Sequence, residues 1–535
     1  MKKIKEGVSD IFPNRNNLKI RLIWESALIG IITGLIIVAN RLLVEKLSPV
    51  LIKFYTYSKG HPLTIILAFV VLGAMGFFVG CLVKGDSMIS GSGIPQVEGI
   101  LMKKLKVNWL RVLVYKFIGG TMALVAGLSV GREGPSVQMG ASVGQGFSEV
   151  CKRINIEDKF LITSGASAGL AGAFNAPLSG VIFALEEVHK NFSPLVLLSA
   201  MSASIAADFM CKNFLGLKPS LGFSNVSVFP LKYYWALIIL GIVVGFTGVA
   251  FSKGILKTQD IYASFKKVPV QVKVMVPFLF AGIVGLTAPI LLGGGHKLIM
   301  SLVNGGFSIQ ILFVFLLVKY LFTFISFGSN APGGIFFPLL VLGAIVGNIF
   351  GIIICGSTNI PTIYIINFII LAMAGHFASI VKAPITGIVL ITEMSGSFEH
   401  LLALTIVVIV SYATSDILKS EPIYESLLEK RLKNLDKNEN ESEIDESKAY
   451  TKKTLLEISV FMGSKVEGKL IKSVEWPEHC LLVAIKRGGK EIIPNGSTRI
   501  LPGDFLVVLV DEDKAAGALE KLQELSSKVE IEEWL

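Results

Sequence analysis

A few acids lie inside long apolar stretches, and their chemistry is the first thing to account for. Glu133 stands in GREGP (131–135) and is followed by uncharged, mostly small or apolar residues through Ser148. Acids in such surroundings are costly and mark ion or proton pathways. A carboxylate there competes with an anion for backbone N–H donors. Out of water it takes up a proton readily and can then leave, so one residue serves as gate and proton carrier. The plainer reading is a structural acid paired with Arg132. Glu186 and Glu187 close a run that starts near Pro177. Ten residues at about 1.5 Å each carry Glu187 about 15 Å from that start. If the start lies in mid-membrane, Glu187 is a proton-uptake point near one aqueous face, apart from Glu133. A helix-end ion pair, with Lys190 for instance, is the alternative.

Four stretches of one design must position these groups: GSGIP (91–95), GREGP (131–135), GGIFFP (333–338) and the paired Ala-Pro sites at 176–177 and 383–384. Each joins small residues to a proline and an apolar run. Proline suits a first helical turn, so each stretch predicts a helix rising from irregular backbone. Within a membrane, such backbone is tolerated only when buried in protein or lining a cavity. Helix starts offer free N–H groups and partial positive charge. Several converging would hold an anion without a formal cation, weakly enough to release it. Kinks that allow close helix packing are the bland alternative for any one stretch.

The stretches recur. GREGPSVQMGASVG (131–144) aligns with GIFFPLLVLGAIVG (334–347) at an offset of 203, and APLSGVIFALEE (176–187) with APITGIVLITEM (383–394) at 207. Paired, Gly/Pro-interrupted segments in two halves of a membrane chain point to a transport site.

Composition agrees. The 535 residues are 52% hydrophobic and 17% charged, against about 25% charged for soluble domains. Between Lys319 and Lys382 lie 62 residues without a formal charge, room for two or more crossings of about 20 residues. The basic start and the apolar segment near 22–43 resemble a signal peptide. That segment is long, contains Glu25 and lacks a small-residue cleavage site, so a retained first helix is expected. The net charge of +10 gathers in clusters beside the spans, which points those ends to the cytoplasm; nothing calls for nucleic acid. Five scattered cysteines and six histidines show no ligand spacing, and no metal is expected. His296 and His376 read as packing residues. Twelve of residues 429–448 are charged, a solvated linker. Beyond it ISVFMGS, CLLVAIKRG and DFLVVLVDE read as strands, GSTRILPGD as a turn and DKAAGALEKLQELSS as a helix.

With GSGIPQVEG, GREGPSVQMGASVGQ, AFNAPLSGVIFALEEV and PGGIFFPLLVLG in this order, residues 20–430 resemble the CLC family of chloride channels and proton/chloride antiporters. The resemblance implies an all-α polytopic fold of two inverted halves with broken helices, a homodimer, and an anion path in each subunit. It implies anion contacts from Ser92, Tyr424, Gly134 and the amides of Ile335, Phe336 and Phe337. Glu133 matches the external gate and Glu187 the internal proton-transfer acid, while Glu98 and Lys116 match a buried charge pair. Glu187 favours the antiporter over the channel, and Ser92 favours chloride over nitrate, whose transporters carry proline there. VAIKRGGKEIIPNGSTRILPGDFLVVLVD resembles the RCK C-terminal (TrkA-C) domain of potassium transport systems. That resemblance implies either a cyclic dinucleotide ligand at a dimer interface or a purely dimerising role.

The expected organisation is a basic cytosolic N-terminus (1–21), a transport domain (22–428), a charged linker (429–451) and an α+β cytosolic domain (452–535). The expected protein is a multi-pass inner-membrane protein, both ends cytoplasmic, that exchanges chloride for protons and needs no cofactor for it. A passive chloride channel is the alternative. A membrane enzyme using Glu186 and Glu187 as acid and base lacks a supporting H-E-x-x-H, P-loop or metal cluster. A tail anchored by its membrane part would not need about 400 residues of repeated body.

Overall fold

The structure, a computed structural model, describes residues 15–527 apart from 59, 218–219, 224–225, 441–452, 488–489 and 512–513. The first 14 residues of the basic N-terminus and the later part of the charged linker therefore lie outside the described residues. Two compact units are present, Met1–Asn434 and Leu435–Leu535.

The first unit is helical, and among the described residues eight helices are long and apolar enough to cross a membrane. The first runs from Arg15 to Ser58 through Pro49, well beyond the apolar segment at 22–43. The internal repeat reaches much further than its two sequence blocks. In chain order, Pro62–Gly85, Ile94–Leu101, Trp109–Val125, Glu133–Val150, Asn155–Phe174, Pro177–Phe183 and Pro194–Leu215 are followed by seven counterparts. These are Val270–Thr287, His296–Val303, Ile309–Gly328, Phe336–Ser357, Ile365–Val381, Pro384–Ser395 and Leu401–Ile417.

Backbone detail repeats as well. Gly93 and Gly295 cap the two short helices at φ +98° and +104°, a conformation that glycine adopts without steric cost. Lys116 donates to the carbonyls of Ile89 (2.8 Å) and Gly91 (2.7 Å). Lys319 does the same with Leu291 (3.0 Å) and Gly293 (2.6 Å). The halves meet through an isolated antiparallel bridge between Gly131 and Gly334: Gly131 N–H donates to Gly334 O (2.6 Å) and Gly334 N–H to Gly131 O (2.8 Å). Equivalent residues exchanging equivalent bonds define a local pseudo-two-fold relation.

Small residues let the helices approach. A Cβ on Gly140 or Gly144 would strike the carbonyl of Gly165 or Leu161 on the facing helix, which is the packing that a membrane interior rewards.

In the second unit β1 (Lys453–Ser459), β2 (Cys480–Arg487), β3 (Lys490–Ile492) and β4 (Phe505–Asp511) form an antiparallel sheet in the order β1-β4-β2-β3. The first strand starts earlier than the ISVFMGS reading placed it, and β3 had no sequence signal. Ile458, Ile485, Leu506, Val508 and Val510 form a core with Ala518 and Leu522 of the helix Ala515–Ser526. Buried Asp504 is gripped by Arg487 through two 2.7 Å bonds and accepts from Leu501 N–H at 2.8 Å. That bond to the carboxylate holds the partly exposed Arg487 guanidinium above its ordinary value.

Candidate anion and proton site

Three of the expected helix starts converge. The helix Glu133–Val150 opens on Glu133 itself, with Pro135 in its first turn, and Phe336–Ser357 opens with Pro338 similarly placed. Glu133 is thus the first helical residue and not part of the preceding loop. Its carboxylate is 1% exposed and lies against its own N–H and that of Phe337. Arg132 is only loosely associated, its Nε 4.0 Å from Glu133 Oε1. Arg132 therefore acts on Glu133 through its charge, alongside the backbone N–H groups at the helix starts, and neither carboxylate oxygen closes an ordinary hydrogen bond among the described residues. Gly131 has to lack a side chain, since a Cβ there would collide with Glu133 Oε2 and come within 3.1 Å of Phe337 N.

Ser92 joins the same centre. A Cβ on Gly134 would strike Ser92 Oγ and stand 3.2 Å from Gly334 Cα. Gly333 N–H also donates to Gly91 O at 2.9 Å, which ties the loop before Ser92 to the loop before Ile335. Tyr424, at the start of the helix Ile423–Asn440, is fully buried. Its hydroxyl faces that of Ser92, and neither closes a hydrogen bond of ordinary geometry among the described residues. Glu133, Gly134, Ser92, Tyr424 and the helix start at Ile335, Phe336 and Phe337 thus lie close together. The donors they bring together are N–H groups and hydroxyls, a set suited to a small anion.

Glu133 and Phe337 also line a cavity of about 370 Å³, with Arg132, Arg41, His296 and Lys297 among its other walls. His296 stands over the Phe337 ring with centroids 6.1 Å apart and its Nε2 is 2.6 Å from Ser220 O. It is not the core-packing residue that its apolar neighbours in sequence suggested. Only the second half's fold carries it to the Glu133 cavity, and no local signal could have shown this. His376 is a packing residue, buried with Nδ1 2.8 Å from Leu339 O.

The acid pair at the other end divides. The α-helix Pro177–Phe183 passes into a π turn, Ala184–Val188, closed by His189 N–H on Ala184 O at 2.7 Å. The straight count of 1.5 Å per residue to Glu187 therefore overstates its distance from Pro177, because a π turn is wider and rises less. Glu186 accepts from Ile385 N–H (3.1 Å), Thr386 N–H (2.7 Å) and Thr386 Oγ1 (2.7 Å) at the start of the helix Pro384–Ser395. Glu393 does the same for Leu178 N–H (3.1 Å), Ser179 N–H (2.7 Å) and Ser179 Oγ (2.5 Å). Glu186 is a structural cap, which removes the acid/base pairing with Glu187. Glu187 is 5% exposed, and its Oε1 has no hydrogen-bond partner among the described residues.

One expectation is overturned. Glu98 and Lys116 do not form a pair: Lys116 is satisfied by the Ile89 and Gly91 carbonyls, and Glu98 pairs with Lys190. The left-handed turn at Gly91 helps aim those carbonyls at the ammonium. Two G-x-S-x-G strings, 127–131 and 165–169, carry serines that are also structural. Ser129 Oγ bonds Thr323 Oγ1 at 2.8 Å and Ser167 Oγ bonds Ser204 Oγ at 2.7 Å.

Residues 75–416 match the model of the voltage gated chloride channel family, and residues 455–523 match the TrkA-C domain. The H(+)/Cl(-) exchange transporter ClcA of Vibrio vulnificus strain YJ016 is 33% identical over 443 residues, covering 81% of this chain and 94% of the relative. ClcA of Salmonella paratyphi C is 32% identical over 446 residues, covering 80% and 93%. A slow cyanobacterial Cl-/H+ antiporter superposes with a TM-score of 0.73 at 30% identity, over 77% of this chain and 98% of its own. A eukaryotic CLC transporter shares the fold, with a TM-score of 0.65 at 22% identity over 76% and 74%. By its repeated broken helices, its converging loops and these matches, the chain belongs to the voltage gated chloride channel family.

Proposed function

We propose that this protein is a secondary active antiporter that exchanges chloride for protons. The observation that carries the reading is the Glu133 carboxylate lying against backbone N–H groups at two helix starts. An anionic side chain there stands where a transported anion would be held. On taking a proton it loses its claim on those donors and yields the place. Chloride then binds to the amides near Gly134, Ile335, Phe336 and Phe337 and to the hydroxyls of Ser92 and Tyr424. Glu187 is the internal acid that exchanges protons with the cytoplasm. Tyr424, which lies in the fields of both Glu133 and Glu187, separates the two ends of the proton path.

The protein acts as a homodimer in a bacterial-type inner membrane with both ends cytoplasmic. The tail regulates or dimerises it, with a cyclic dinucleotide as the ligand class to test.

Purified protein in liposomes given a chloride gradient should drive protons uphill. Glu187→Gln should stop proton movement while chloride still flows, and Glu133→Gln should leave anion flux indifferent to pH. Flux that always follows the chloride gradient, with no proton movement in the wild type, would make the protein a passive channel.

A further inference from the structure

Lys190 gathers charges from three segments that the transport site also uses. It follows the π turn at φ +54°. Its ammonium pairs with Glu98, on the short helix that begins beside Ser92, and with Glu425, the residue after Tyr424. Exposure falls steadily along the cluster. The Glu425 side chain is 46% exposed, that of Lys190 29%, and Glu187 and Glu98 are 5% and 1% exposed. The charged groups acting on Glu187 are Lys190, Glu98, Glu425 and Glu186, and Glu186 is committed to its helix cap. Lys104 also acts on Glu98.

A buried acid that exchanges protons needs a wetter group to feed it, because a proton moves only between groups in reach or through a water between them. We propose that Glu425 is the proton-collecting carboxylate for Glu187, and that Lys190 is the positioning residue that holds Glu425 and Glu98 at its mouth. The proposal rests on Glu187 being the internal proton-transfer acid. Glu425 takes a proton from water and is neutralised, which loosens its ion pair with Lys190. It passes the proton to the Glu187 carboxylate and returns as an anion to the ammonium. Charge and protons balance at each step, and no other reactant is needed. Without Lys190, neighbouring carboxylates at Glu98 and Glu425 would repel each other and hold protons instead of passing them.

The test is chloride and proton flux in the same liposomes over a series of internal pH values, for the wild type, Glu425→Gln, Lys190→Met, Lys190→Arg and Glu187→Gln. Glu425→Gln and Lys190→Met should lower proton flux about 100-fold, the lower end for a positioned proton-transfer group, and move the internal-pH profile, while Lys190→Arg restores both. Chloride flux reports that each variant is folded. Should Lys190→Met fail to fold, the half-exposed Glu425→Gln carries the test alone. Wild-type proton flux and an unshifted profile in Glu425→Gln and Lys190→Met, with Glu187→Gln uncoupled, would overturn this proposal only. Coupling that survives Glu187→Gln would overturn the reading of Glu187 and this proposal with it.

Discussion

Glu186 and Glu393, 207 residues apart and equivalent in the repeat, each cap the helix from which the other projects. Glu186 binds the start of Pro384–Ser395, and Glu393, near the end of that helix, binds the start of Pro177–Phe183. The exchange explains why two neighbouring acids, Glu186 and Glu187, have different duties. One is saturated by N–H and hydroxyl donors, and the other is left with an oxygen that has no hydrogen-bond partner among the described residues.

Glu186→Ala and Glu393→Ala should each cost about 2 kcal/mol, since each strips a charged acceptor from two helix-start N–H groups. Melting of the detergent-solubilised protein should fall for both by similar amounts, with the proton-to-chloride ratio of surviving protein unchanged. A changed ratio with unaltered melting would show that the pair acts in transport instead.

Gly131→Ala places a methyl group where the Glu133 carboxylate sits. The side chain should be driven out of the pocket, giving anion flux that persists at neutral pH and couples weakly to protons. Wild-type coupling in this variant would mean that Glu133 works from another position.

Ser92→Pro removes a hydroxyl from the anion pocket. Competition flux assays should show nitrate gaining on chloride, and Tyr424→Phe should weaken chloride binding by about 1 kcal/mol, the worth of a single hydrogen bond. Unchanged selectivity in Ser92→Pro would remove Ser92 from the anion contacts.

Arg487→Met leaves the buried Asp504 carboxylate without its cation, a loss of about 3 kcal/mol for a pair of this kind. Limited proteolysis of the full-length protein should then cut within 453–526, and the fluorescence of Trp476, whose indole donates to Ile471 O at 3.0 Å, should redden. A tail as resistant as the wild type would show that the sheet core alone holds it.

The sequence by itself determined the membrane class, the internal repeat, the helix starts and the acids worth attention. All of these follow from local properties: uninterrupted apolar length, proline in a first turn, and an acid where water is scarce. The sheet unit was legible for the same reason except for β3, whose three residues are too short to carry a pattern. Only the tertiary structure decided partners. It gave Glu98 to Lys190 instead of Lys116, turned Glu186 into a cap, brought His296 to the Glu133 cavity and laid Glu133 against Phe337 N–H. Those contacts join residues 92 to more than 200 positions apart. They depend on how the two halves turn about their shared axis, and no spacing along the chain encodes that rotation.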